Sequence, residues 1–265
     1  MDLSVLTNHV ITLAKEVGDF IRQEAAIFDN KRVEFKGVND MVSYVDQTAE
    51  IKIVSGLSVL IPEAGFITEE KTTSITGEHY NWIIDPLDGT TNFIHGIPTY
   101  SVSIALKHDD ELVLGVVYEI NRDECFYAWK GGGAYLNSKS IKVSGAKKLS
   151  DSLLSTGFPY YNFEKHVEYM KIFTGLMQKC HGLRRIGSAA VDLAYVACGR
   201  FDGYFEYNLN DYDMAAGVLI VREAGGMAFD FSGGEQPLDN REVIATNALI
   251  AEELVSYITS NFKKP

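Results

Sequence analysis

The sequence predicts a mixed α/β fold in two halves, and three patterns carry that reading. Near the start, Leu3, Leu6, Val10, Leu13, Ala14, Val17, Phe20 and Ile21 recur at helical spacing, with Lys15, Glu16 and Asp19 off the stripe. After Pro98 the period switches to two, Ser101-Val102-Ser103-Ile104-Ala105-Leu106 alternating as a strand does. From Ser150 onward, strand-length and helix-length segments alternate, so residues 1–149 and 150–265 read as two halves of one domain. A chain of 265 residues is long enough to bury a large core in that form.

Taken in order, the first helix gives way to a polar segment around Asn30 and Lys31. A turn at Lys36-Gly37-Val38-Asn39-Asp40 follows. A second helix is expected over Tyr44 to Leu60, with Val45, Thr48, Ile51 and Leu57 on its apolar side. Asp46 falls in its first turn, where the helix dipole favours a carboxylate, so capping is its simplest role. Gly65-Phe66-Ile67-Thr68 reads as a short strand running into Glu69-Glu70, a pair that alone fits a solvated strand end as well as a metal site. Lys71 to Tyr80 is polar and aperiodic, and is expected to be a mobile loop.

The chemistry concentrates in Trp82 to Pro98, reading WIIDPLDGTTNFIHGIP. The apolar run Trp82-Ile83-Ile84 ends on Asp85, then Pro86, Leu87, Asp88, Gly89, Thr90, Thr91 and Asn92 follow. Proline cannot continue a sheet ladder, so Asp85 and Asp88 are expected to leave the strand and converge. Two carboxylates that close raise each other's pKa unless a cation lies between them. Oxygen donors without a Cys or His cluster favour Mg²⁺ or Mn²⁺ over zinc. Asp-Pro and Asp-Gly are also ordinary turn dipeptides, and DPLDG alone is satisfied by a polar turn. EF-hand spacing fails, because it would put the glycine at Thr90 and the bidentate glutamate at Gly96.

Asp109-Asp110 makes a turn, and Leu112 to Tyr118 and Cys125 to Trp129 read as further strands. Gly131-Gly132-Gly133 lacks the Lys-Ser/Thr pair and helix start of a P-loop, and reads as a strand turn. In the second half, Leu153 to Thr156 reads as a strand and His166 to Cys180 as a helix. Gly187 and Ser188 open an Ala-rich helix that runs to Cys198, where they can serve a ligand or simply cap. Gly203 to Tyr207 is a strand carrying Glu206, and the Asn208–Asp211 loop delivers Asp213 at the head of a helix, Met214 to Ala224. Gly225-Gly226 ends that helix; a strand at Val243 to Ala245 and a helix from Ala248 to Phe262 complete the chain.

A formal charge of −12 argues against a general nucleic-acid binder, but a bound divalent metal can still reverse the local sign for an anionic substrate. Cys125, Cys180 and Cys198 are odd in number and form no CxxC, which fits reduced, mostly buried thiols in a cytoplasmic protein. With no membrane-length apolar run and no leader pattern, a soluble intracellular protein is expected.

Glu69-Glu70, DPLDGTTNF and Asp213 within DYDMAAG together resemble the inositol monophosphatase family, Mg²⁺-dependent and lithium-sensitive phosphatases related to fructose-1,6-bisphosphatase. The first family signature, an apolar run into DPxDGTxNF, is complete. The W-D-x-A-A-G element has Tyr212 where the family has Trp, and Thr68 replaces the glycine of the Gly-Glu-Glu block. The likeness extends from the first helix to the last. It implies an α-β-α-β-α sandwich with the active site between the halves, and a homodimer.

The resemblance also implies two or three Mg²⁺ ions, with Mn²⁺ as a substitute. The first would be held by Glu69, Asp85 and the backbone carbonyl of Leu87, the second by Asp85, Asp88 and Asp213. The amides of Gly89 and Thr90, with Thr91 alongside, would bind phosphate at a helix start. Thr90 and Asp46, beside Glu69, would orient and deprotonate the attacking water. Gly187, Ser188, Ala189 and Glu206 would contact the polyol, along with Asp88 and Asp213. Apart from the resemblance, Arg184 and Arg185 lie nearby in the sequence and can either bind a second anionic group or, one or both, simply be surface residues.

The implied reaction is in-line hydrolysis of inositol monophosphate or a similar polyol or sugar phosphate. No nucleophile signature such as GxSxG points to a covalent intermediate. The alternatives are a fructose-1,6-bisphosphatase-type enzyme, a 3′-phosphonucleotide or histidinol-phosphate phosphatase, or a regulatory binding protein on the same fold. The nucleotide enzymes often read DGTKEF and the histidinol-phosphate enzymes tend to carry a basic residue after DGT, unlike DGTTNF here.

Overall fold

The computed structural model describes residues 1–28, 33–37, 40–159 and 163–262. Its frame is a seven-stranded sheet in chain order: β3 (Gly65–Thr68), β4 (Tyr80–Asp88), β5 (Ser101–His108), β6 (Glu111–Glu119), β7 (Glu124–Trp129), β8 (Gly133–Leu136) and β9 (Lys139–Ser140). Only the β3–β4 pair is parallel among them. Ahead of this sheet, β1 (Val33–Gly37) and β2 (Asp40–Ser43) pair antiparallel. Asn30, Lys31, and Val38 and Asn39 of the expected turn lie outside the described residues.

Side-chain parity on β4 separates the layers. Trp82 and Ile84 join a core with α1 (Leu3–Ala25) and α2 (Tyr44–Leu60), whereas Ile83 joins a second core on the opposite face. That second core is built on α5 (Ala189–Ala197) and α6 (Asp211–Glu223). Beyond these helices lies a five-stranded sheet, ordered β11 (Gly182–Arg184), β10 (Leu153–Thr156), β12 (Gly203–Tyr207), β14 (Glu242–Asn247), β13 (Gly226–Phe229). Its outer face carries α4 (His166–Met177) and α8 (Ala251–Asn261), which bury Leu154, Phe205 and Ile244. The five layers are therefore helices, sheet, helices, sheet, helices.

Where the layers differ from the sequence reading, close packing is the cause. Ser101 and Ser103 were expected to alternate out of the core, yet both are fully buried on the face of β5 that meets α6. Helix and sheet come so near there that a Cβ on Gly115 would lie 2.8 Å from the carbonyl oxygen of Ala216. On α2, Ile51 is exposed and Asp46 and Glu50 point inward instead.

The helix at His166 stops at Met177 rather than Cys180, α6 begins at Asp211 rather than Met214, and the last helix is shorter than expected. β11, β13 and the one-turn helix α7 (Pro237–Asn240) had no signal of their own. Cys125 alone is fully buried; Cys180 and Cys198 are half-buried. No helix among the described residues is long and apolar enough to cross a membrane.

Candidate active site

The strand β4 does not end at Asp85. Asp85 pairs with Ser103 of β5, the register slips by one residue, and pairing resumes between Asp88 and Ser101. Residues three apart on a regular strand face opposite sides; one inserted residue at Pro86-Leu87 brings them to the same side. Proline thus supplies a bulge instead of a terminus, and Asp85 and Asp88 both line a cavity of about 400 Å³ while Leu87 returns to the first core. The amide of Leu87 donates to Asp85 Oδ1 at 2.9 Å, fixing that carboxyl within the bulge.

The chain then turns at Gly89, whose φ of 100° suits glycine, into α3 (Thr90–Ile94). Thr90 Oγ is 2.9 Å from Asp46 Oδ1 and 3.1 Å from the Leu87 carbonyl oxygen. Asp46 also caps α2: its Oδ2 accepts from Ser43 N at 2.9 Å and Ser43 Oγ at 2.6 Å. Capping and contact with Thr90 are one arrangement, because a carboxyl has two oxygens and uses one for each. Asp213 repeats the device on α6, where Oδ2 accepts from Asn210 N at 2.5 Å.

The second half enters through loops and helix starts. Ser188 Oγ and Ala190 N donate to Asp88 Oδ2 at 2.6 and 2.7 Å, docking the opening of α5 onto β4. Asn92 spans the same seam, donating to Thr99 O at 2.7 Å and Ile186 O at 2.8 Å. Glu206 reaches in from β12 and accepts from Tyr204 Oη. A Cβ on Gly157 would come within 1.9 Å of Glu206 Oε2, so a larger residue there would displace that carboxyl.

Glu69, Leu87, Gly89, Thr90, Thr91, Gly187, Ser188, Ala189, Glu206 and Asp213 all border this cavity with Asp85 and Asp88, and Asp46 stands behind Thr90 as its buried support. Of the two arginines, Arg185 borders the cavity, whereas Arg184 is exposed and bonds its neighbour's carbonyl. Sequence reading missed Lys71, Gly157, Asp192 and Asn208 in the lining, and Glu50 behind it. Asp192 was legible only as a helix residue, but its side chain is buried and Oδ1 lacks a hydrogen-bond partner. The Lys71–Tyr80 loop, expected to be mobile, is anchored: Glu50 holds Thr72, and Phe66 N donates to Ile75 O at 2.8 Å.

Packing so many acids together is electrostatically costly. Burial, then Glu69, Asp88 and Asp213, push Asp85 well above the usual carboxylate range. Burial lifts Asp88 to about 6 against the opposing bonds from Ser188 and Ala190. Burial and Asp88 raise Asp213 to about 7, and burial raises Glu206 to about 8.

These groups hold protons in the folded state that the unfolded chain has released, so their contribution to stability is present at low pH and lost as pH rises. We expect the melting temperature without divalent ions to fall between pH 5 and pH 8, and added Mg²⁺ to remove most of the fall. A slope of equal size with and without Mg²⁺ in a thermal melt would show that these carboxyls do not set it.

The cavity thus joins a carboxyl pair on a bulged strand, an acid at a helix start and a Thr–Asp pair. The inositol monophosphatase family model matches residues 2–262. The chain belongs to the inositol monophosphatase family.

An inositol-1-monophosphatase of Mesorhizobium japonicum is 41% identical, over 100% of this chain and 98% of that one. A protein of Pseudomonas aeruginosa named Nus factor SuhB is 40% identical over 96% of this chain and 95% of its own. The crystal structure of the extragenic suppressor protein suhB of Bartonella henselae superposes with a TM-score of 0.91. It is 40% identical and covers 96% of this chain and 98% of that one. Membership accounts for the five layers, since solved structures of the inositol monophosphatase family share them closely enough to superpose along nearly the whole chain. Tyr212, where this family has Trp, borders the cavity, and its carbonyl lies 3.3 Å from Ser103 Oγ.

Proposed function

We propose that this protein is a metal-dependent phosphate monoester hydrolase acting on inositol monophosphate or a closely similar polyol phosphate. The observation that carries the reading is the bulge in β4, which turns Asp85 and Asp88 into one cavity with Glu69 and Asp213. Their mutual repulsion and raised proton affinity are what a divalent cation would relieve.

The donor set is all oxygen, which suits Mg²⁺, with Mn²⁺ as a substitute. Glu69, Asp85, the Leu87 carbonyl, Asp88 and Asp213 would hold two or three such ions. Among the described residues no three acidic, His or Cys side chains enclose a common point as they stand. The amides and hydroxyl already bound to Asp88 and Asp213 nonetheless orient these carboxyls in the manner that metal-ligating groups require. Bound there, the ions would neutralise the ester's charge and lower the pKa of a nucleophilic water.

The protein's own groups would do the rest. A water at Thr90 Oγ can donate to that hydroxyl while the Thr90 proton is held by Asp46 Oδ1. Burial raises the basicity of Asp46, and the two Ser43 donors keep its carboxylate form oriented, so it is suited to accept the proton. The first-turn amides after Gly89 have no intrahelical acceptor and would receive phosphoryl oxygens.

Glu206, beside Ser188 and Ala189, would accept from vicinal hydroxyls of the leaving polyol. Glu206→Ala is accordingly expected to raise KM for inositol 1-phosphate by about tenfold or more. Phenyl phosphate, which has no hydroxyls to bind, should be hydrolysed almost as before; equal loss on both esters would remove Glu206 from the polyol contacts.

The direct test is phosphate release from inositol 1-phosphate, fructose 1,6-bisphosphate, a 3′-phosphonucleotide and histidinol phosphate, with Mg²⁺ and with chelator. Preference for the inositol ester, abolished by chelator, supports the proposal; preference for the bisphosphate would keep the mechanism and change the substrate. The relatives named Nus factor SuhB favour a second reading, a regulatory binding protein on the same scaffold. Metal-independent silence on every ester would select it.

A further inference from the structure

Glu50 is a fully buried carboxyl with no place in the predicted ligand set. From the inner face of α2 it accepts from Glu70 N at 2.7 Å and from Thr72 N and Thr72 Oγ at 2.8 Å each. The two amides flank Lys71. That residue has a φ of 56°, in the left-handed region where a side chain other than glycine or asparagine is uncommon. Such conformations persist where the surroundings over-determine them, and they gather at ligand sites. Here the surroundings are Glu50, and the ligand site is the cavity that Lys71 lines together with Glu69, Asp85 and Thr90.

Charge points the same way. Among the described residues lining the cavity, the only basic ones are Lys71 and Arg185. Arg185 sits by Asp88, Asp192 and Glu206 and lowers the pKa of all three, so its charge is already opposed on the polyol side. Lys71 is exposed, and none of the described carboxylates forms an ion pair with it. An ammonium on a flexible stem is a point charge suited to a phosphoryl oxygen, and next to the metal-ligand end of the cavity it would meet one.

We propose that Lys71 is a substrate contact that binds the anionic oxygens of the phosphate ester, and that Glu50 is the positioning residue that holds its turn. This rests on the phosphatase reading above. Glycine accepts the left-handed backbone without strain, so Lys71→Gly removes the ammonium and spares the turn; Lys71→Arg keeps the charge.

The measurements are calorimetric binding of inorganic phosphate in the presence of Mg²⁺, and KM and kcat for inositol 1-phosphate. Lys71→Gly is expected to weaken phosphate binding and raise KM by about tenfold each, with Lys71→Arg close to wild type. Glu50→Gln, which turns an amide donor toward one of the two backbone N–H groups and so loosens the turn, should shift both constants in the same direction although Lys71 is still present. Wild-type activity together with unchanged phosphate binding and KM in Lys71→Gly would overturn this proposal alone. A wild-type protein that neither releases nor binds phosphate would overturn the phosphatase reading and this proposal with it.

Discussion

Asp88→Asn is expected to lose at least a thousandfold in phosphate release and, without divalent ions, to melt higher than the wild type. The two effects are expected to have opposite signs because the carboxylate proposed to serve catalysis also opposes folding. An asparagine oxygen can still accept from Ser188 Oγ and Ala190 N, so the docking of α5 survives. What disappears is one negative charge beside Asp85 and Asp213, each of which Asp88 makes harder to ionise. Asp88 itself is raised to about 6, so at pH 8 relief of about 3 kcal/mol is expected, a gain of several degrees for a chain of this length. Thermal melts and initial rates on one preparation check both halves. Loss of activity together with a lower melting temperature would mean that Asp88 is chiefly a structural link.

The second large effect is expected at Thr90. Replacing it with Val keeps the volume and removes the hydroxyl that bridges Asp46 Oδ1 and the Leu87 carbonyl. A positioned proton-transfer group contributes about 10²–10⁴ in rate, and kcat should fall by that much. Thr90→Ser retains the hydroxyl and should retain most of the rate. Asp46→Asn should cost rate too, and in addition some stability, because half of its oxygen capacity is committed to capping α2 at Ser43. Steady-state kinetics of the three variants decide the matter: equal rates for Thr90→Val and Thr90→Ser would exclude the hydroxyl from the chemistry.

What could be read from the sequence followed from short-range physics. The second helix, the strands at Gly65–Thr68, Leu153–Thr156 and Gly203–Tyr207, and the acidic DPLDG motif announce themselves through period, breakers and composition. What could not be read depends on distant neighbours. Pro86 does disturb the ladder, as its chemistry requires, but whether it ends the strand or bulges it is decided by Ser101 and Ser103 on β5. Ser103 itself looks solvent-facing until α6 covers it.

Gly157 carries no local signal at all, because the carboxyl that a larger residue would displace belongs to Glu206. Glu50 and Lys71 were hidden for a related reason. A glutamate in a helix and a lysine in a loop are the most ordinary of surface residues until a turn twenty residues away folds over the first and exposes the second to a cavity.

The hydrogen bonds that stitch the cavity also fix when it can exist. Thr90 meets Asp46 across 44 residues, Asn92 meets Ile186 across 94, and Asp88 meets Ser188 across 100. On a ribosome adding roughly 5–20 residues per second, β4 emerges on the order of ten seconds before the helix that carries Asp213. During that interval Asp85 and Asp88 are bathed in water, where two charges a few ångströms apart cost little. The repulsion grows once α5 and α6 lie over them and water is displaced. A cation that bound only the closed form would act as a latch on it, drawing that docking forward by mass action.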